Sequence, residues 1–166
     1  SNLYLNSNET VTWVDACCTT RNTLIVMGYI STPDDNIEII VCEFIMKYDE
    51  SDDLSNKMIY TIKRTGIGYA PSKYEGYEGP SLVEVNGLYF ISVPENMYFS
   101  EDGFIWTHIE DILEEYPEVI YISHMYAVNN DVAIYLRDDQ KEKFFITSVN
   151  LLTSRDIPVN VDYINY

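Results

Sequence analysis

Positive charge is scarce in this 166-residue chain: ten lysines and arginines stand against 27 acidic residues, a formal charge of −17. A field of that sign repels phosphate backbones and anionic lipid surfaces, which argues against nucleic-acid partners and membrane adsorption. Clustered carboxylates in turns at Asp34-Asp35, Asp49 to Asp53 and Asp138-Asp139 are the right ligand type for calcium. None has EF-hand spacing, so they read as solvated turns and no metal site is expected. Histidine is limited to His108 and His124, and cysteine to Cys17, Cys18 and Cys42, with no spacing that would ligate zinc. Neighbouring Cys17 and Cys18 point to opposite faces of a strand and do not readily pair, so all three read as reduced packing residues. His124, inside an apolar segment, reads as a core histidine. No hydrophobic run approaches a membrane span. No signal peptide is visible, and the chain opens on Ser1 without a methionine, as a processed chain or a piece of a longer one would. No phosphate loop exists either, since Thr65-Gly66-Ile67-Gly68 leads into Tyr-Ala-Pro rather than a lysine and a helix. No cofactor is expected.

What is abundant is tyrosine, with 15 residues beside six Phe and two Trp in a chain that is 46% hydrophobic. That content excludes a disordered chain and supplies one folded domain with a core. Tyrosine is favoured on strands, and its flat ring with a polar tip also serves interfaces and sugar stacking. Strand-like segments recur at 22–30, 37–46, 57–63, 81–85, 87–93, 97–99, 119–128, 132–137 and 143–152, separated by Pro, Gly, Asn and Asp turns. Residues 1–10 read as a polar arm, 11–155 as a β domain, and 156–166 as an extended tail or edge strand. A two-turn apolar face at 109–116, ended by Pro117, predicts one short helix.

Three segments repeat a turn residue followed by a six-residue apolar strand: NTLIVMG, NGLYFIS and NDVAIYL. They begin at positions 22, 86 and 130, intervals of 64 and 44 residues. The second interval is near the roughly 40–50 residues of a propeller blade. Trp13 and Trp106 precede the first and third copies and read as equivalent. The expected fold is therefore all-β, mainly antiparallel, a partial β-propeller of about three blade-like units. A β-sandwich is the alternative. A closed propeller has about four to eight blades, so three imply a ring completed by several chains or a fragment of a longer propeller.

Residues 98–107 read as a strand, an Asp102-Gly103 hairpin turn and a second strand beginning at Phe104, with Trp106 folded over the turn. The pattern Ser100-x-Asp102-Gly103-x-x-Trp106 resembles a shortened Asp-box, the hairpin motif of sialidase-like (BNR) β-propellers. It has one residue fewer between the Asp and the Trp than the usual form. A similar form is familiar in propeller-like proteins of bacteriophage tails and surface proteins. The resemblance implies a structural role for Ser100, Asp102, Gly103 and Trp106, locking a hairpin at the rim of a blade.

The stretch 65–80 holds four of the seven glycines and two of the six prolines and reads as an irregular loop. Its Tyr69, Tyr74 and Tyr77 are the candidate ligand-binding residues, because loops carry contacts more often than strands do. The same tyrosines serve equally well to pin a crossover between blades. A sialidase-like enzyme needs clustered arginines, a Tyr–Glu nucleophile pair and an acidic acid/base. Arg21, Arg64, Arg137 and Arg155 carry none of that family's flanking motifs, and Glu38 and Glu84 read as solvated strand positions. The resemblance thus implies a non-enzymatic module of a phage virion (tail or baseplate) or bacterial surface assembly. It would engage other protein subunits, as a homo-oligomer among other arrangements, or envelope carbohydrate. A fragment of a sialidase-like glycoside hydrolase is the alternative function, and the cytoplasm the alternative location.

Overall fold

The computed structural model describes residues 9–47, 57–110, 112–113, 121–137, 142–148 and 162–165. Of these, the side chains of 46–47, 57–59, 142–148 and 162–165 are excepted. The described chain is all-β and antiparallel throughout. Strands β1 (Thr10–Cys18), β2 (Leu24–Ser31), β3 (Ile37–Lys47) and β4 (Lys57–Tyr69) form a first sheet in chain order. Strands β5 (Ser81–Val85), β6 (Leu88–Ser92), β7 (Met97–Ser100) and β8 (Thr107–Ile109) form the second. Strands β9 (Tyr121–Val128), β10 (Asp131–Arg137), β11 (Glu142–Ser148) and β12 (Asp162–Asn165) form the third. Each sheet is thus a four-stranded meander. The chain end expected as a tail or edge strand supplies β12, paired with β11.

The three repeated segments fall on β2, β6 and β10, the second strand of each sheet. The turns before them hold Asn22, Asn86 and Asn129 at φ of 56°, 53° and 55°. Asparagine tolerates this left-handed region because its short side chain bonds locally. The repeat therefore reflects one turn chemistry used three times.

The sheets stack face to face in chain order. Alternation along β5, β6 and β7 sends Leu82, Tyr89, Ile91 and Tyr98 towards the first sheet. There they meet Ile25, Met27, Ile37, Ile39 and Val41. The opposite parity sends Val85, Phe90 and Met97 towards Ile122, Met125, Val132, Ile134 and Leu136 of the third sheet. A near-continuous apolar run such as LYFISV marks a strand covered on both faces, and the middle sheet is that case. Strand β1 lies beside β5, and β5 beside β9, so the first strands of the three sheets neighbour one another. Two bonds tie them. The Leu82 N–H donates to Asp15 Oδ2 at 2.9 Å, and the Met125 N–H donates to Ser81 Oγ at 3.1 Å. A register shift between Trp13 and Asp15 puts a bulge in β1 next to the first of these bonds.

Several expectations are corrected. Ile109 closes β8 and Ile112–Leu113 lie in a turn, so no helix begins at 109; residues 114–116 lie outside the described residues. The buried side chains of Ile109 and Ile112 join the core between the second and third sheets, which explains their apolar spacing without a helix. Strand β4 runs on to Tyr69 where an irregular stretch from 65 was expected. A bulge opposite Glu38 and Ile40 absorbs Thr65 to Ile67, and the Thr65 hydroxyl donates to the Ile39 carbonyl at 2.7 Å. The hairpin at Asp102-Gly103 is also longer than two residues, since β7 ends at Ser100 and β8 starts at Thr107. Trp13 lies on β1 and Trp106 in the loop between β7 and β8, so they are not equivalent.

Candidate functional site

The turn between β7 and β8 is held from within by Ser100 and Asp102. The Phe104 and Ile105 N–H groups donate to Asp102 Oδ1 at 2.8 and 2.9 Å, and the Ser100 hydroxyl donates to the same atom at 2.9 Å. The Gly103 N–H in turn donates to Ser100 Oγ at 2.8 Å. Burial alone would raise the Asp102 pKa, but these donors outweigh it and hold the carboxyl below its ordinary value. Gly103 sits at φ 86°, and a Cβ there would lie 2.5 Å from Ile25 Cδ1 of the first sheet. Trp106 packs against the core between the first two sheets, while Ile105 projects into solvent at 73% exposure. The turn is therefore also a joint. Arg21 Nη2 donates to the Asp102 carbonyl at 3.3 Å and to the nearly buried Glu43 at 3.0 Å, clamping the β1–β2 turn to it. The Thr23 hydroxyl satisfies Glu43 further at 2.6 Å.

Tyr69, Tyr74 and Tyr77 come together at one end of the stack. Tyr69 is the last residue of β4, a 3₁₀ turn at Pro71–Lys73 delivers Tyr74, and Tyr77 follows. Their ring centroids lie 5.4 Å (69–77), 6.3 Å (69–74) and 6.5 Å (74–77) apart, all edge to face. A fourth ring belongs with them: Tyr121, the first residue of β9, lies 5.7 Å from Tyr77 and 6.0 Å from Tyr74. Arg137, opposite Tyr121 in the β9–β10 register, donates to its hydroxyl at 3.2 Å with its guanidinium carbon 5.9 Å from the ring centroid. The cluster thus joins the first sheet to the third across the end of the second, where the Ile122 N–H also donates to the Pro94 carbonyl at 2.7 Å.

Burial pushes the Tyr69 and Tyr77 phenols well above their ordinary pKa, and burial together with the Glu95 carboxylate pushes Tyr74 up to about 12. All three phenols are neutral at physiological pH. The Tyr77 hydroxyl is buried with no hydrogen-bond partner. Arg21 and Arg64 are each matched to a carboxylate, whereas Arg137 meets only a phenol among the described residues. Sequence reasoning found the three loop tyrosines but not Tyr121 or Arg137. No local pattern marks those two, because only the pairing of β9 with β10 and the packing of the loop bring them in.

The remaining candidates are dispersed. Glu84 accepts from the Gly87 N–H at 2.6 Å within its own hairpin. Glu38 pairs with Arg64 at 2.9 Å on another sheet, so the two carboxylates do not face one another. His124 is half-buried beside Tyr126, with rings 4.8 Å apart, and not in the core as expected. His108 is exposed and bonded to Asn96. The cysteines are unpaired, with Cys17 turned into the core, Cys18 outward and Cys42 buried. Among the described residues no group of three or more His, Cys, Asp or Glu is placed to hold a metal ion, and no helix is long and apolar enough to cross a membrane. Of the acidic turns, residues 49–53 and 138–139 lie outside the described residues. Comparison with protein-family models, with curated proteins and with solved structures finds no match.

Proposed function

We propose that this chain is a non-enzymatic assembly and binding module with a partial-propeller architecture, serving a phage virion or a bacterial surface assembly. The observation that carries the reading is the stacking of three consecutive four-stranded meanders with their first strands side by side. The turn resembling an Asp-box supports it by acting as a joint between two sheets and not as a reactive site. In this reading the half-buried edge formed by Tyr69, Tyr74 and Tyr77, backed by the buried Tyr121 and with Arg137 beside it, is the contact site for envelope carbohydrate or a protein subunit. The partly exposed ring edges supply apolar contact suited to a sugar, and the Arg137 guanidinium supplies donors beside them.

The test is titration of the chain with purified cell-envelope polysaccharides by biolayer interferometry, alongside hydrolysis assays on fluorogenic glycosides. Saturable binding that falls at least tenfold in Tyr74→Ala, with the melting curve retained and no turnover, is the expected result. Turnover of any glycoside would overturn the non-enzymatic reading. Binding indifferent to Tyr74→Ala would remove the aromatic end from it.

A further inference from the structure

Tyr77 is held differently from the rings around it. Its ring lies edge to face against three others, 5.4 Å from Tyr69, 6.5 Å from Tyr74 and 5.7 Å from Tyr121. Two of those neighbours are matched at the hydroxyl. Tyr121 bridges Arg137 and the Glu75 carbonyl, and the Tyr74 hydroxyl donates to the Glu95 carboxylate. The Tyr77 hydroxyl is buried with no partner. A polar group buried without a hydrogen bond destabilises the state that buries it, and it regains its bonds in water.

The chain around Tyr77 is anchored on both sides and loose between. On one side the Ser72 hydroxyl donates to Asp35 and Tyr74 holds Glu95; on the other Pro80 is buried where β5 begins. Between these anchors Glu75, Gly76 and Glu78 are exposed. Among the described residues, the backbone bonds of this connection run only within it, from Lys73 to Ala70, Tyr74 to Pro71 and Tyr77 to Tyr74. The bond from the Tyr121 hydroxyl to the Glu75 carbonyl is long, at 3.5 Å. Gly76 and Gly79 bracket Tyr77 at φ of 77° and 124°. A Cβ at Gly79 would meet nothing within 4 Å, and one at Gly76 only the Arg137 guanidinium at 3.6 Å. Glycine changes φ without steric cost, so the pair can serve as pivots for the one aromatic ring between them.

We propose that residues 75–79 are a gate. Tyr77 plugs a slot between Tyr69, Tyr74 and Tyr121 and swings out on Gly76 and Gly79, and a sugar ring of an envelope polysaccharide takes its place, with Arg137 donating to its hydroxyls. The proposal rests on the carbohydrate-binding reading above and adds which ring yields to the ligand. A plugged site binds with an affinity reduced by the fraction of chains that are open. Whatever favours the plug therefore weakens binding, and removing the plug strengthens it.

Two variants of the whole chain separate a plug from an ordinary contact. Tyr77→Phe keeps the ring and removes the unmatched hydroxyl. It should melt higher than the wild type and bind purified cell-envelope polysaccharide about fivefold more weakly or worse, the lower end for relieving one unmatched buried group. Tyr77→Ala removes the plug, so it should melt lower and yet bind the same polysaccharide more tightly. Weaker binding by Tyr77→Ala, or unchanged binding by Tyr77→Phe, overturns the gate. Should Tyr77→Ala fail to fold, the wild type alone decides. Fluorine NMR of the chain grown with fluorotyrosine, without ligand, should show exchange on the microsecond to millisecond scale at the resonance that Tyr77→Phe removes. A Tyr77 resonance free of exchange overturns the proposal. If polysaccharide still binds in that case, only the gate is lost; exchange at Tyr77 with no polysaccharide bound by any variant overturns the binding reading beneath it.

Discussion

At the scale of the residue, identical chemistry has unlike consequences depending on what stands nearby. Gly66 and Gly103 both hold positive φ, 74° and 86°. A side chain at Gly66 would meet nothing within 4 Å, while at Gly103 it would meet Ile25. Gly66→Ala should therefore cost only the conformational penalty, about 1–2 kcal/mol. Gly103→Ala adds overpacking of about 1–3 kcal/mol. Urea denaturation of the two variants measures the difference, and equal losses would contradict the close approach of the turn to the first sheet. Asp102 was legible in advance as a turn residue, because an acid before a glycine between apolar segments has few other uses. Its grip on Ile105 was not, since that depends on a loop of six residues rather than two.

At the scale of the element, the β7–β8 turn is the most tightly specified connection in the chain. Removing its acceptor with Asp102→Ala leaves the Phe104 and Ile105 N–H groups without their partner, a loss of about 1–3 kcal/mol for bonds to a charged group. The sign with pH follows from the carboxyl's lowered folded value. Such a group stabilises the fold fully above its unfolded pKa, and that contribution is lost as pH falls through the folded one. Stability of the wild type should thus fall faster than that of Asp102→Ala below about pH 4, the ordinary carboxylate range. Denaturation midpoints of both proteins between neutral and acid pH would show the curves converging. Parallel curves would mean that the turn does not depend on the charge. The extension of β4 through Thr65 to Tyr69 shows why glycine-rich segments mislead: a bulge accepts a glycine without ending the strand.

At the scale of the whole molecule, the charge of −17 acts against compaction and against association with a second copy. Salt shortens the range of that repulsion. Adding sodium chloride to about 0.5 M, where the Debye length falls to a few ångströms, should raise the melting temperature by several degrees. It should also tighten any dimer. A scan of melting temperature against ionic strength checks this, and a falling melting temperature would show that ion pairs such as Arg64 with Glu9 and Glu38 outweigh the net repulsion.

The sequence by itself determined the all-β, mainly antiparallel class, the positions of most strands and the threefold repeat. Each of these rests on local chemistry: alternation or apolar runs of strand length, asparagine in left-handed turns, and an acid–glycine turn. Only the tertiary structure decided that the repeats are second strands of stacked sheets, that Ile109 ends a strand and Ile112–Leu113 lie in a turn where a helix was expected, and that Tyr121 and Arg137 complete the aromatic end. Those facts depend on which faces meet across sheets, and a buried apolar side chain looks the same in sequence whether a helix, a strand or a turn delivers it.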